Sequence, residues 1–327
     1  FFVQDEWNVT QKMTVVPGIR VDSHSSGEEY ATSVKVSDSA FPTTKFSKTT
    51  VNPRIAIKYE LTPSLVLRAN VGTGFRAPYG FSEDLHLCSG SPRVWKSSNL
   101  KGERAISYNL SADYYAKKYQ FSINIFRTNL KDKIQFSPAD DEVKKFGYSY
   151  QWENVDDAYV QGVELGAKAN LFRNFNAGIN WTFNQGKFKH ERADWSDPND
   201  ETVKEFPQRL QYAKDSRNIS RFPAMTGDID LDYTPGTWTF SLTSSLQGRM
   251  FIDYNSEDDG ATSKIKKTNT FMIFNCRAAK RFGTCTVYAG AKNIFSYIQD
   301  EKHTDDAAFM YAPVYGAAWY VGLSVKL

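Results

Sequence analysis

The sequence predicts an all-β chain, an antiparallel transmembrane β-barrel, and three observations predict it. Apolar and polar residues alternate along most of its length. Short turns and long polar loops succeed each other in strict order. Aromatic residues make up 15% of the 327 residues, yet no apolar run approaches the roughly 20 residues that a spanning helix requires.

The alternation has the period of two that marks strands with unlike faces. At the end of the chain Trp319, Val321, Leu323, Val325 and Leu327 share one face, and Tyr320, Gly322, Ser324 and Lys326 the other. The same division sets Leu65, Leu67, Ala69 and Val71 against Val66, Arg68, Asn70 and Gly72. It also sets Phe175, Ala177, Ile179, Trp181 and Phe183 against Asn176, Gly178, Asn180, Thr182 and Asn184. Between Met225 and Tyr233 the polar face carries Asp228, Asp230 and Asp232, a row that requires water. Segments counted in this way give about 13 strands, many at least as long as the roughly 9–11 residues that cross a bilayer at a tilt.

Tight turns are expected near Thr10-Gln11, Thr62-Pro63, Lys117-Lys118, Arg173-Asn174, Pro235-Gly236 and Phe282-Gly283. Where the alternation lapses, long loops are expected at 24–51, 75–103, 136–148, 187–218, 253–267 and 297–313. Every short turn therefore falls at one end of the sheet and every long loop at the other, the polarity of an outer-membrane barrel with periplasmic turns and extracellular loops. Sandwiches and propellers alternate too, but a cylinder of this many long meandering strands is too wide for side chains to fill. Its interior is then wet or plugged, so the polar set lines it and the apolar stripe faces lipid. An unpaired strand edge is prohibitively costly in lipid and single-chain bacterial barrels have even strand numbers. The reading therefore expects partner strands beyond residues 1–327, which form one part of a single barrel domain.

Other classes find little support. Forty Lys and Arg against 37 Asp and Glu give a net charge of +3, which argues against a nucleic-acid partner. Cys88, Cys276 and Cys285 lack zinc spacing and are too few for a disulfide scaffold. There is no phosphate-binding Gly-rich loop, no GxSxG elbow and no HExxH. Asp156-Asp157 and the lumen aspartates have no dry site to separate their acidities, so no enzyme is expected.

Short motifs then carry a resemblance. Gln4-Asp5-Glu6-Trp7 with Val16-Pro17-Gly18-Ile19-Arg20-Val21-Asp22, Asn52-Pro53-Arg54, and Phe75-Arg76-Ala77-Pro78 stand in one order along the chain. They are followed by Asn99-Leu100-Lys101-Gly102-Glu103, Asn154-Val155, Gln161-Gly162-Val163-Glu164 and Lys292-Asn293-Ile294-Phe295. Together they resemble the TonB-dependent outer-membrane receptors, particularly those of the Bacteroidetes type. The resemblance implies a plugged barrel of 22 strands, of which this chain supplies strands 10 to 22, the plug and first strands being absent. The chain departs from the family pattern in closing on Leu327 instead of an aromatic residue and in having Gly316-Ala317 where Gly-Arg is familiar.

The resemblance implies active import of a scarce ligand across the outer membrane of a Gram-negative cell. The TonB complex is engaged through the missing N-terminal region, outer-membrane lipids surround the barrel, and a surface lipoprotein is a further partner to test. No cofactor is required, and haem, cobalamin or a ferric siderophore is the expected cargo. His24, His86, His190 and His303 fall in or beside extracellular loops, and imidazole ligates haem iron and other metals. His86 lies between Phe75-Arg76-Ala77-Pro78 and Ser98-Asn99-Leu100, where haem receptors of this family carry a functional histidine. Met310 and Tyr311, with Met250 and Tyr254, place soft and aromatic groups near the mouth, although aromatic girdles explain such residues as well. Asp197 to Glu201, Glu257 to Asp259 and Asp305-Asp306 offer oxygen ligands for calcium or simply solvated loop charge. A passive pore, and a binding module that docks a lipoprotein or glycan, are the alternatives.

Overall fold

The structure, a computed structural model, describes residues 1–29, 43–79, 94–138, 140–146, 150–190, 217–255, 263–299 and 310–326. Its strands are β1 (Phe2–Gln4), β2 (Trp7–Thr10), β3 (Met13–Glu28), β4 (Thr44–Thr62), β5 (Leu65–Arg76), β6 (Val94–Lys96), β7 (Glu103–Tyr115), β8 (Tyr119–Pro138) and β9 (Tyr150–Phe172). They continue as β10 (Phe175–Phe188), β11 (Met225–Tyr233), β12 (Trp238–Gln247), β13 (Phe251–Asn255), β14 (Ser263–Lys267), β15 (Phe271–Phe282), β16 (Cys285–Lys292) and β17 (Ala318–Val325). One helical turn, α1 (Asp141–Lys144), sits between β8 and β9. Its N-terminus is capped by Asp140, whose carboxylate accepts the Val143 N–H at 2.9 Å. Among the described residues no helix is long and apolar enough to cross a membrane.

The main sheet has 15 strands, of which β2 and β6 lie off the continuous path, so the path holds the 13 that alternation predicts. Along that path the strands follow one another in chain order, β1-β3-β4-β5-β7-β8-β9-β10-β11-β12-β15-β16-β17, with β13 and β14 forming a separate two-stranded sheet. β1 and β2 both pair with β3 and make one interrupted edge strand. A meander of antiparallel strands satisfies each backbone group with a near neighbour, which lipid demands.

All six tight turns lie where they are expected. Three of them are made by residues in the left-handed region, Asn174 (φ 67°), Gly236 (φ 62°) and Gly283 (φ 60°). Asn and Gly are the residues that adopt it at least cost, and they let the flanking strands keep their twist. The loop boundaries require correction. β3 runs on to Glu28 and β4 begins at Thr44, so that part of the expected 24–51 loop is strand. Within 75–103 the short β6 pairs in parallel with β9. Within 253–267 lies most of a hairpin, β13 against β14.

Register aligns the apolar side chains into rows on one face. Ala112 lies opposite Ile123, and Ile123 opposite Leu165. Leu110, Ile125, Val163 and Phe183 form the next row. These are not core residues: Leu110 is 57% exposed and Ile125 51%. At the short-turn end the same face carries an aromatic belt, with Phe172 stacked on Phe175 at 4.8 Å, Trp238 on Phe240 at 5.6 Å and Tyr119 on Phe121 at 6.4 Å. An exposed aliphatic band edged by aromatics is the surface that acyl chains and the interfacial layer cover. β8 and β9, at 20 and 23 residues, are longer than a bilayer needs and project beyond it on the long-loop side.

Candidate functional site

The opposite face of the sheet is a polar wall tied by hydrogen bonds from strand to strand. Arg68 pairs with Asp113, and Asn109 donates to Asn70 at 2.9 Å. Asn124 donates to Glu164 at 2.9 Å, Asn180 to Asp228 at 2.8 Å, and Ser241 to Asp232 at 2.6 Å. Further round, the Arg277 guanidinium lies 4.6 Å from the Tyr288 ring centroid. Side chains that donate and accept over the whole wall present a hydrated surface to whatever occupies the lumen.

At the long-loop end residues of several motifs make the mouth. Buried Glu103 accepts the Ile134 N–H at 2.6 Å and pairs with Arg76 at 3.4 Å. Gly102 is required there, because a Cβ would stand 2.3 Å from the Phe75 ring and 3.0 Å from the Arg76 carbonyl. Phe75 stacks on Phe46 at 5.9 Å, and Phe46 lies 6.3 Å from the ring of His24. Pro78 is among the most deeply buried side chains and Leu100 is buried too. Ala77 lies between Arg76 and Pro78, and Asn99 is exposed, its N–H held by Ser97 Oγ at 3.2 Å.

Two asparagines, each quoted above only as part of a motif, act as clamps. Asn154 accepts the Lys101 N–H at 2.8 Å and donates to the carbonyls of Lys101 at 3.0 Å and Asp132 at 2.8 Å. Asn293 ties the connection between β16 and β17 by three side-chain bonds. The motifs around Phe75, Gly102, Asn154 and Asn293 thus hold backbone at the long-loop end.

His24 belongs to β3, and its Nε2 is buried without a hydrogen-bond partner among the described residues. His190 is exposed and its imidazole Nδ1 lies 3.1 Å from Asp156. Met310 is exposed, with its carbonyl 3.4 Å from Arg221 Nη1. Tyr311 is buried with Met250 and Phe271, packed against Ile273, Tyr297 and Ala312. That cluster supports the mouth from beneath. Tyr254 falls in β13. His86, His303, Cys88, Leu327 and the acidic clusters at 197–201, 257–259 and 305–306 lie outside the described residues. Among those described, no group of three or more His, Cys, Asp or Glu is placed to hold a metal ion, and Cys276 and Cys285 are free thiols.

Asp156 lies seven residues above Val163, where the apolar row on β9 ends, and so stands clear of the membrane. Burial raises its carboxyl, but the N–H groups of His190 and Asp157 and the His190 imidazole outweigh this and hold it below the ordinary 3.8. A depressed acid contributes stability above its unfolded value and loses it as pH falls through the folded one. The attachment of His190 to β9 is therefore expected to persist at neutral pH and to open below about pH 3.8, the ordinary value of the carboxyl. Amide exchange at His190 measures this, and Asp156→Asn removes the acid dependence.

Comparison with known proteins places the chain. The profile of the family "TonB dependent receptor-like, beta-barrel" matches residues 1–294. The vitamin B12 transporter BtuB of Photobacterium profundum is 26% identical over 266 residues, covering 79% of this chain and 36% of that protein. The ferric enterobactin receptor of Pseudomonas aeruginosa is 25% identical over 202 residues, 56% of this chain and 24% of that one. Among solved structures, the ferric citrate transporter FecA in its unliganded form aligns with a TM-score of 0.69 at 20% identity, over 98% of this chain and 44% of that one. The copper transporter OprC aligns at 0.67 and 19% identity, over 98% and 46%. The chain spans about a third or less of these two sequence relatives and under half of these two structures. Its alternating sheet, clamped motifs and family profile together make it a member of the TonB-dependent receptor β-barrel family.

Proposed function

We propose that this chain is the C-terminal part of an outer-membrane receptor that actively imports a chelated-metal cofactor, namely haem, cobalamin or a ferric siderophore, with energy delivered through TonB. The observation that carries this is the continuous polar wall from Arg68 to Tyr288, a surface for relaying a large hydrophilic ligand and not for catalysis. The relatives named for vitamin B12 and ferric enterobactin support the cargo class. In this reading the cell is Gram-negative, the absent N-terminal region engages TonB, and the mouth histidines and Met310 face incoming ligand.

The test is uptake by cells that carry or lack the receptor, supplied in turn with labelled haem, cobalamin and a ferric catecholate. Receptor-dependent accumulation of one of them, abolished when the proton gradient is dissipated, is expected. Accumulation that survives dissipation identifies a passive pore, and capture without accumulation identifies a surface binding module; either overturns the proposal. Within the haem version, His86→Ala is expected to weaken haem affinity severalfold, read from the absorption of the purified receptor. Unchanged affinity removes that histidine from the site.

A further inference from the structure

The lipid-facing side of β12, β15, β16 and β17 is not flush. Register places Ala278 and Cys276 of β15 beside Ala289 and Ala291 of β16 on that side, and these small residues form a floor. Phe240 and Leu242 of β12 stand along one margin, and Val321 and Trp319 of β17 along the other. Between the margins is an apolar recess of about 790 Å³, which Leu231 and Tyr233 of β11 extend. Two residues above Cys276 on the same face, Phe274 meets Phe295 edge to face at 5.3 Å and closes the upper end.

Lys280 stands at the lower end, two residues below Ala278 on the same face and opposite Trp238 and Val287. Its ammonium lies 4.8 Å from the Trp238 ring centroid and 5.0 Å from that of Phe282. Among the described residues no carboxylate pairs with it, and it is the single charged residue at an outward position on β11, β12, β15, β16 and β17. Cation–π contact holds it at the foot of the recess, whereas a lysine that only snorkels extends freely into water. Depth fits the same picture. A strand rises about 3.4 Å per residue and tilts by about 40° in such barrels, so the step from Lys280 to Phe274 climbs roughly 15 Å along the membrane normal. That is about half of a hydrocarbon core roughly 30 Å thick. The recess therefore runs from the aromatic belt of the short-turn end to about mid-membrane, the reach of one leaflet's acyl chains.

We propose that this recess binds one anionic diacyl phospholipid of the periplasmic leaflet, its phosphate on Lys280 and an acyl chain lying over Ala278, Cys276 and Ala289. A chain in the recess touches protein on three sides and gains dispersion contacts that a flush wall does not offer. The phosphate supplies the counter-charge that the protein leaves out. A second copy of this chain fits less well. A two-fold axis along the membrane normal would bring one Lys280 towards the other at the same level, on a face that carries no carboxylate to meet them. The inference rests on the barrel spanning the membrane and is independent of which ligand is imported.

The complete receptor, purified in detergent, is titrated with dioleoyl phosphatidylglycerol and with dioleoyl phosphatidylcholine, which share their chains and differ in net charge, and bound lipid is read by native mass spectrometry. The anionic lipid is expected to bind about fivefold more tightly, the effect of one basic residue on an anionic headgroup. Lys280→Gln is expected to lose that preference and Lys280→Arg to keep it. Lys118→Gln, the same charge change at a distant short turn, is expected to leave it within about twofold, since screening removes remote charges. Ala289→Phe fills the floor and is expected to weaken both lipids severalfold, whereas Ala112→Phe, an equal enlargement on the lipid face of β7, leaves both unchanged. Heat-dependent gel mobility verifies that each variant has folded. In a Cys88→Ser, Cys285→Ser background, labelling of the free Cys276 thiol by a membrane-soluble maleimide is expected to slow as the anionic lipid binds. Equal affinity for the two lipids overturns the proposal, as does a preference that survives Lys280→Gln. Affinity that Ala289→Phe does not change, or Cys276 labelling that lipid does not slow, overturns it too. Receptor dimers that Ala289→Phe abolishes would give the recess to a second copy and overturn the phospholipid.

Discussion

Ile123→Arg is expected to destabilise the barrel by about 2–4 kcal/mol, the cost of a cation near the middle of the lipid-facing band. Ile123 is 41% exposed and sits in register between Ala112 and Leu165, so an arginine there has only acyl chains and aliphatic side chains within reach. Asn124→Arg, one residue along and on the other face, is expected to stay within about 0.5 kcal/mol, as exposed substitutions generally do. Asn124 donates to Glu164 at 2.9 Å, and an arginine would keep that carboxylate as its partner in water. Arg127, two residues beyond Ile125 on the lipid face, shows that the same strand accepts a cation once the headgroup level is reached. Urea unfolding in phospholipid vesicles, followed by Trp fluorescence and heat-dependent gel mobility, measures both variants. Equal tolerance at 123 and 124 would place Ile123 in water and reverse the assignment of the two faces.

How legible each part was depended on what lipid does to a sequence. Inside the apolar band every outward residue must be greasy and every inward one is free to be polar, so alternation gave the path of 13 strands, and Asn or Gly marked turns such as Asn174 and Gly283. Above the band both faces meet water, and the constraint that produced the pattern is gone. Ser23-His24-Ser25-Ser26 and Lys45 to Thr50 therefore look like loop, although they pair residue by residue as β3 and β4. β13 and β14 are hidden for the same reason, and β6 is three residues of parallel pairing that no local pattern reveals. Tyr311 illustrates the corresponding difficulty at the mouth. An aromatic residue beside a polar loop reads equally as a ligand contact or as packing, and only its neighbours Met250 and Phe271 show that it is buried. The clamps at Asn154 and Asn293 had a sequence signal, since each stands in a motif, but their bonding depends on residues distant in the chain. Asn154 serves Lys101, 53 positions away.

The largest effect outside the lipid band is expected at Asn293, where Asn293→Ala should cost about 3 kcal/mol from lost buried hydrogen bonds and backbone strain together. The residue is 7% exposed and has φ 50°. Its Nδ2 donates to the carbonyls of Tyr297 at 2.7 Å and Tyr315 at 3.1 Å, and its Oδ1 accepts the Tyr297 N–H at 2.9 Å. Alanine removes all three bonds and leaves two carbonyls and one N–H without their partner. It also lacks the side chain that lets asparagine enter the left-handed region. Asn293→Gly separates these contributions, because glycine tolerates the backbone but restores no bond, so it should recover about 1 kcal/mol of the loss. The opening is local: Tyr297 stacks on Phe271 at 4.8 Å, and Phe271 packs with Tyr311 and Met250. Releasing Tyr297 therefore loosens the mouth before the lower strands unfold. Proteolysis of the segment between β16 and β17 should accelerate in Asn293→Ala while heat-dependent mobility of the barrel persists. Parental protease resistance together with parental unfolding would show that the connection holds its shape without the clamp.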